Sequence, residues 1–152
     1  MKKHILVLII SIFFFSMCEQ KHFYNEYKSV NAKDWQPTDT LSFPVIIDEQ
    51  NKTFQYSISI RHEKEYEFSN IWLKVIVKGN KVDTSFRYEI PLFKSDGKPY
   101  GKSSGSLCTQ TVPLNTNLPL SAKGKYEIKI VQLMRKEPLA GITDVGVIID
   151  KK

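Results

Sequence analysis

Cysteine and histidine are scarce in this chain, which has two of the first and three of the second among 152 residues. Two cysteines exclude a disulfide-dense miniature scaffold. No stretch carries the 3.6-residue apolar period of an amphipathic helix, and no apolar run reaches the roughly 18 residues of a membrane-spanning helix. Aromatic side chains, at 12%, are too plentiful for long disorder. Length and composition therefore favour one globular domain with a real core.

The net charge is positive but moderate. Lys and Arg number 22 against 16 Asp and Glu, which gives a formal charge of +6. This permits nucleic-acid binding without indicating it, and the export signal described next argues against nucleic acid as a partner. The basic excess lies in residues 94–152. Six lysines there form a candidate basic face for anionic envelope lipid or an acidic protein surface: Lys94, Lys98, Lys102, Lys123, Lys125 and Lys129.

The chain begins with the pattern of an export signal. Lys2 and Lys3 precede an apolar run over residues 5–15, which is too short to span a bilayer as a helix. Ser16-Met17 then leads into Cys18, as in a relaxed bacterial lipobox. We predict that Cys18 is lipidated and becomes the mature N-terminus, holding the protein on a membrane. An uncleaved signal anchor, or an ordinary secreted protein with a buried Cys18, is the alternative.

Beyond the signal, apolar residues alternate with polar ones along successive short segments, as in half-buried strands. The clearest runs are Phe54, Tyr56, Ile58 and Ile60, then Ile71, Leu73, Val75 and Val77, then Tyr126, Ile128 and Ile130. Pro91 predicts an edge position or a bulge for the strand that contains it. The pattern predicts an all-β fold, a single antiparallel β-sandwich that is Ig-like or jelly-roll-like. Three segments follow: a signal peptide over 1–17, a tether with a possible first edge strand over 18–40, and the sandwich over 41–152.

Residues suited to catalysis or metal binding do not converge in the sequence. His62 stands near Glu63, Glu65 and Glu67, but their spacing is not that of a calcium loop, so a solvated loop between strands is the better interpretation. Cys108 has no histidine close in sequence and is interpreted as a half-buried thiol. We therefore predict no enzyme activity, no catalytic residues, no metal and no cofactor.

Aromatic residues offer one candidate binding surface. Rings that stack on sugars would form a platform, and the candidates are Trp35, Tyr66, Trp72 and Tyr100. Packing in the core or at its rim explains most of them more simply. Trp72 alternates with the apolar residues Leu73 and Val75, so it belongs to the opposite face of its strand. A glycan-binding module is thus the second hypothesis, possible but not favoured.

The order of motifs resembles the gliding-motility lipoprotein GldH family of Bacteroidota. The resemblance covers nearly the whole mature chain and is carried by Glu26-Tyr27, Trp35, Asn70-Ile71-Trp72-Leu73, Ile90-Pro91-Leu92, Asp96-Gly97-Lys98, Gln132-x-Met134-Arg135, Gly141 and Asp144-Val145-Gly146. It implies a lipid-anchored cell-envelope protein. The residues just after Cys18, Glu19-Gln20-Lys21-His22, hold one acid and no acidic run, so we predict an anchor in the inner or outer membrane that faces the periplasm rather than the cell surface. The resemblance also implies partners among envelope or gliding-machinery proteins and no enzymatic activity.

The last part of this resemblance is a candidate structural or docking motif. Its residues are Gln132, Met134, Arg135, Gly141, Asp144 and Gly146. Arg135 ends one alternating segment and Asp144 opens the next, so a hairpin would bring them together as an ion pair that fastens residues 136–143. Structural fastening is the favoured interpretation, and a partner-docking loop is the alternative.

Overall fold

The computed structural model describes residues 22–32, 34–49, 53–79, 81–115, 118–120 and 122–152. The predicted signal peptide and Cys18 lie outside this range. The described residues form nine strands: β1 (Tyr24–Ser29), β2 (Leu41–Ile47), β3 (Phe54–Glu63), β4 (Asn70–Gly79), β5 (Val82–Pro91), β6 (Lys102–Ser104), β7 (Leu107–Pro113), β8 (Gly124–Gln132) and β9 (Ile142–Lys151). Within those ranges there is no helix long and apolar enough to cross a membrane.

The strands form two antiparallel sheets. One has the order β1-β9-β3-β7-β6 and the other the order β2-β8-β4-β5. The inward side chains of both sheets meet in one apolar core, which includes Phe43 of β2, Ile60 of β3 and Ile128 of β8. This confirms the predicted all-β sandwich.

Strand β4 shows how the alternation positions side chains. Leu73 and Val75 are buried at 0% and 1% exposure, while Trp72 between Ile71 and Leu73 is 40% exposed. Successive side chains of a strand point to opposite faces, so the residues that alternate with the core form the outward face of the sheet. β5 is the edge strand of this sheet and ends at Pro91. That is the edge position predicted from proline, which cannot donate to a neighbouring strand.

Part of the segment 18–40, which the sequence assigns to a tether, packs against the sandwich. β1 is an edge strand of the five-stranded sheet and pairs with β9, with Tyr24 opposite Ile149. Trp35 is 1% exposed and forms an isolated bridge with Leu139. β1 and Trp35 are therefore part of the packed structure, and β1 takes the place of the possible first edge strand predicted from the sequence.

The antiparallel strand order gives the sandwich two distinct ends. At one end, which we call the entry end, lie the start of β1 and the finish of β9. The connection from β2 to β3 is at the same end. At the opposite end, which we call the far end, lie the connections after β1, β3, β5 and β8. A ten-residue strand such as β4 spans roughly 33 Å, so the two ends are separated by about that distance.

Candidate functional site: a cation-rimmed groove at the far end

A groove of about 720 Å³ lies at the far end, on the outward face of the four-stranded sheet. Its lining combines apolar side chains with cations: Phe68, Trp72, Leu133 and Met134 with Arg87, Arg135 and Lys136. β4 and β5 supply one side of the groove, and the chain that leaves β8 supplies the other. The three cations are exposed, whereas Phe68, Leu133 and Met134 are only partly exposed. We therefore call the four apolar residues the floor of the groove and the three cations its rim.

Strand register places the parts of the floor. Trp72 lies opposite Glu89 of β5, and Leu73 lies opposite Gln132 at the end of β8. The Leu133 amide extends this pairing by donating to the Trp72 carbonyl at 2.8 Å. Leu133 and Trp72 therefore lie side by side where the backbone ladder ends.

Met134 accepts a backbone hydrogen bond where the ladder between β4 and β8 ends. Its thioether sulfur accepts the Trp72 backbone N–H at 3.3 Å, in the place of the next backbone carbonyl. Its own N–H donates to the Gln132 Oε1 at 2.7 Å, and the Gln132 Nε2 donates to the Trp35 carbonyl at 3.3 Å. Gln132 is fully buried, so these bonds satisfy an amide that would otherwise be costly to bury. The buried amide thus fixes the Met134 side of the groove.

The rim carries more positive than negative charge. Arg87, Arg135 and Lys136 are all exposed. Lys136 is paired with Glu67, whose carboxylate lies 2.6 Å from its ammonium. Within the part of the chain that the structure describes, neither Arg87 nor Arg135 has an ion-pair partner. The two guanidinium groups are free to bind an anionic group from another molecule.

Asp144 is held by residues of the five-stranded sheet. Its carboxylate lies 3.3 Å from the Arg61 guanidinium and accepts hydrogen bonds from the Ser29 and Thr143 hydroxyls at 2.7 and 2.9 Å. β8 and β9 belong to different sheets, so they form no hairpin. The predicted pairing of Arg135 with Asp144 is therefore corrected, because residues 133–141 cross from one sheet to the other.

Two glycines of the candidate motif have structural roles. Gly141 has a φ of +86° and donates its N–H to the Ala32 carbonyl at 2.6 Å. A Cβ added at this position would lie only 3.1 Å from the Tyr66 ring. Gly146 lies beneath the ring of Tyr27. With Gln132 and Asp144, four of the six candidates hold the fold, whereas Met134 and Arg135 line the groove.

The four candidate platform aromatics are not brought together. Trp35 and Tyr66 are buried at 1% and 6% exposure. The Trp35 indole donates to the Asp39 carbonyl at 3.1 Å, and the Tyr66 hydroxyl, whose pKa is raised by burial, donates to the Asn70 carbonyl at 3.1 Å. Tyr100 is exposed but lies beneath the Lys94 ammonium, 5.7 Å from its ring centroid. Of the four, Trp72 alone lines the groove.

The six candidate lysines do not share one face either. Lys125 and Lys129 lie on the outward face of β8 in the four-stranded sheet, whereas Lys102 lies in β6 at the edge of the other sheet. Lys94 and Lys98 belong to the far end, and Lys123 precedes β8 at the entry end. Lys98 and Lys129 are engaged with carboxylates, in the pairs Lys98–Asp96 at 3.4 Å and Lys129–Glu127 at 3.2 Å.

His62 is buried, which corrects its assignment to a solvated loop. The alternation of β3 continues past Ile60 and turns His62 inward, where it is 0% exposed. Its Nδ1–H donates to the Glu63 carbonyl at 2.8 Å, and its Nε2 has no hydrogen-bond partner. Burial lowers the pKa of this imidazole, partly offset by that hydrogen bond. Cys108 lies opposite His62 and is fully buried, which corrects its interpretation as a half-buried thiol, and its sulfur lies 3.2 Å from the Ser103 hydroxyl. Across the described ranges, no three His, Cys, Asp or Glu residues gather as metal ligands.

Comparison with known proteins decides the family. A family model described as GldH lipoprotein matches residues 22–149. The chain belongs to the GldH lipoprotein family. It is 29% identical to a gliding motility lipoprotein GldH homolog of Christiangramia forsetii, over 97% of this chain and 94% of the relative. It is 30% identical to the gliding motility lipoprotein GldH of Flavobacterium johnsoniae, over 97% and 95% respectively.

Similarity to solved structures is weak. A family GH115 4-O-methyl-α-glucuronidase with specificity for decorated arabinogalactans aligns with 89% of this chain and 18% of its own, at 11% identity and a TM-score of 0.45. A likeness at that level carries no argument about function. Membership of the GldH family supports a lipid-anchored protein of the cell envelope.

Sequence reasoning singled out three of the seven groove residues: Trp72, Met134 and Arg135. It missed Arg87, although Arg87 alternates with Phe86 and Tyr88 and is thereby assigned to the outward face. Its nearness to Trp72 follows from the β4–β5 register, which the turn after Gly79 sets. Phe68, Leu133 and Lys136 lie outside the strands, where no period indicates which way a side chain points.

Proposed function

We propose that this protein is a lipid-anchored accessory of the gliding-motility and associated secretion machinery, acting through protein–protein contacts and not by catalysis. Its place in the GldH family supports the connection with gliding. The contacts themselves are inferred from the groove, where an exposed tryptophan lies beside two unpaired guanidinium groups. Trp and Arg are the residues that most often dominate the binding energy of protein interfaces.

The position of the groove is the observation that carries the proposal. Cys18 precedes β1 by a few residues, and β1 starts at the entry end. A lipid on Cys18 would hold the entry end close to the membrane, because so short a segment cannot reach far. The groove lies at the far end, about 33 Å away along the strands. The groove would therefore point away from the membrane that holds the lipid, where other envelope proteins can contact it.

Acylation is a separable part of the proposal. Two or three acyl chains hold a protein firmly on a membrane, whereas a single chain is marginal. We expect the wild type to incorporate labelled fatty acid in growing cells and Cys18→Ser to incorporate none, while the purified domain keeps the melting temperature of the wild type. Equal labelling of the two chains, or no labelling of the wild type, would contradict the lipid anchor.

Partner identification tests the accessory role. The chromosomal copy would be tagged at the C-terminus, crosslinked in intact cells and purified from the membrane, with Cys18→Ser as the matched control. We expect enrichment of envelope proteins of the gliding or secretion machinery with the wild type and their loss with the control. Loss of surface spreading and of protein secretion on deletion is the second expected result. If deletion leaves both unchanged, the proposed role is wrong.

A further inference from the structure

We infer that the far-end groove binds an acidic peptide segment of a partner protein, with an apolar side chain seated on Trp72 between flanking carboxylates. This deepens the proposed function and rests on it, because it assigns the partner contact to one site and one chemistry.

The floor of the groove is the first argument. Trp72 is one of four large hydrophobic side chains that are exposed within the described ranges, and the partly buried Phe68 and Met134 lie beside it. Contiguous apolar surface that is rimmed by polar groups marks interaction sites on soluble domains. A thioether next to an indole also adapts to apolar partners of different shape. An aromatic or long aliphatic side chain fits this floor.

The rim is the second argument and fixes the sign of the partner's charge. Arg87 and Arg135 come from separate elements, β5 and the segment after β8, and reach the same groove. Lys74, opposite Arg87 in register, adds a third cation on this outward face without a carboxylate partner in the described chain. Guanidinium groups bind carboxylates through two parallel hydrogen bonds, which gives both energy and orientation.

The acidic residues near the groove are not paired with its two guanidinium groups. Glu67 is engaged by Lys136 at 2.6 Å, and Glu89 accepts the Asn70 amide at 2.5 Å. Neither carboxylate pairs with Arg87 or Arg135. An acidic ligand therefore meets two guanidinium groups without first displacing an internal partner.

The same features favour a peptide over a sugar. Sugar rings stack on flat aromatic platforms and exchange hydrogen bonds with both donors and acceptors. This floor has one exposed indole, and aliphatic and thioether groups make up much of the rest, while the charged groups of the rim that have no carboxylate partner are donors only. An apolar side chain between carboxylates uses both parts of the site.

Photocrosslinking in the native membrane identifies the occupant. p-Benzoylphenylalanine would replace Lys136 at the rim or, as the control position, Lys152 at the entry end, in the full-length acylated protein. We expect a crosslink at position 136 to a peptide segment with two or more Asp or Glu within about four residues of an aromatic or long aliphatic side chain. A crosslink at 136 to lipid, to glycan or to a segment without acidic residues overturns the inference, and so does the absence of any crosslink there.

Direct binding then tests the chemistry. The crosslinked segment would be synthesised, and its affinity for the detergent-solubilised protein measured. We expect at least tenfold weaker binding by Arg135→Glu and by Trp72→Ala, no change for Lys152→Glu, and a steady loss of affinity with added salt. Only variants with the melting temperature of the wild type would be compared, so that a loss of binding is not a loss of folding. Equal affinity of Arg135→Glu and the wild type overturns the inference.

Motility separates the two levels of the proposal. If the double variant Arg87→Glu/Arg135→Glu restores spreading to a deletion strain as fully as the wild type, the groove is not the contact site although the accessory role stands. If the deletion strain itself behaves normally, the accessory role is wrong. Loss of spreading with the double variant and normal membrane levels of the protein supports both.

Discussion

The phenol ring of Tyr27 covers the backbone of Gly146. The two residues face each other across β1 and β9, and a Cβ added to Gly146 would stand 2.6 Å from the Cε1 of the ring. The Arg61 guanidinium lies 5.6 Å from the same ring's centroid and also pairs with Asp144. An aromatic ring that covers a strand glycine supplies the packing that glycine lacks and helps to fix the register.

Gly146→Ala tests this relationship. The added methyl must displace the Tyr27 ring, and we expect a loss of about 1–2 kcal/mol in the free energy of unfolding, measured by urea denaturation. In a Tyr27→Ala background the same substitution should cost much less, because no ring remains to be displaced. Equal costs in the two backgrounds would mean that the ring and the glycine are energetically independent.

Arg61 and Arg135 should differ in their effect on stability. Arg61→Ala removes the guanidinium that both pairs with Asp144 and lies above the Tyr27 ring. Both contacts are partly exposed, so we expect a loss of about 1 kcal/mol in the free energy of unfolding. Arg135→Ala should change stability by less than about 0.5 kcal/mol, since no ion pair is lost. Thermal unfolding of the two variants side by side measures the difference. A larger loss with Arg135→Ala would restore the pairing that the sequence predicted.

His62 should make stability depend on pH. Its pKa is lowered in the folded protein by burial, so below the ordinary value of about 6.5 the unfolded chain binds a proton that the folded chain does not. The stability is fully present above that pH and is lost as the pH falls through the lowered folded pKa. Relative to His62→Gln, we expect the wild type to lose up to about 1.4 kcal/mol per pH unit in this window. If the stability of the wild type and that of His62→Gln change with pH in parallel, the pKa of His62 is the same in the folded and unfolded states and the prediction is wrong.

Fluorescence quenching should separate the two tryptophans of the chain. Trp72 is 40% exposed beside cations and Trp35 is 1% exposed, so iodide should quench one emission component and leave the other. Trp72→Phe should remove the quenchable component. Because the rim is positive, the ratio of iodide to caesium quenching at equal ionic strength should be higher for Trp72 than for free N-acetyltryptophanamide, and a lower ratio would contradict the charge assigned to the groove.

Local pattern was enough to predict the fold class and the exposure of Trp72. Period-2 alternation separates Trp72 from Leu73 whatever the rest of the chain does. The partner of Asp144 was beyond such reasoning, because it depends on which sheet β8 and β9 join. Trp35 and Tyr66 lie outside the nine strands, and their burial follows from long-range packing against Leu139 and Gly141. Predicting the groove would have required both the alternation of β4 and the path of the chain after Gln132.

The place of β9 between β1 and β3 also has a consequence for the timing of folding. Both neighbours of β9 emerge early in synthesis, while β9 is the last of the nine described strands to be made. The five-stranded sheet therefore has a gap until residues 142–151 are available, and its closing contacts join distant parts of the chain. Such non-local pairing slows folding. A polypeptide that must be threaded unfolded across a membrane gains from this delay, since the sandwich cannot close before its final strand has been delivered.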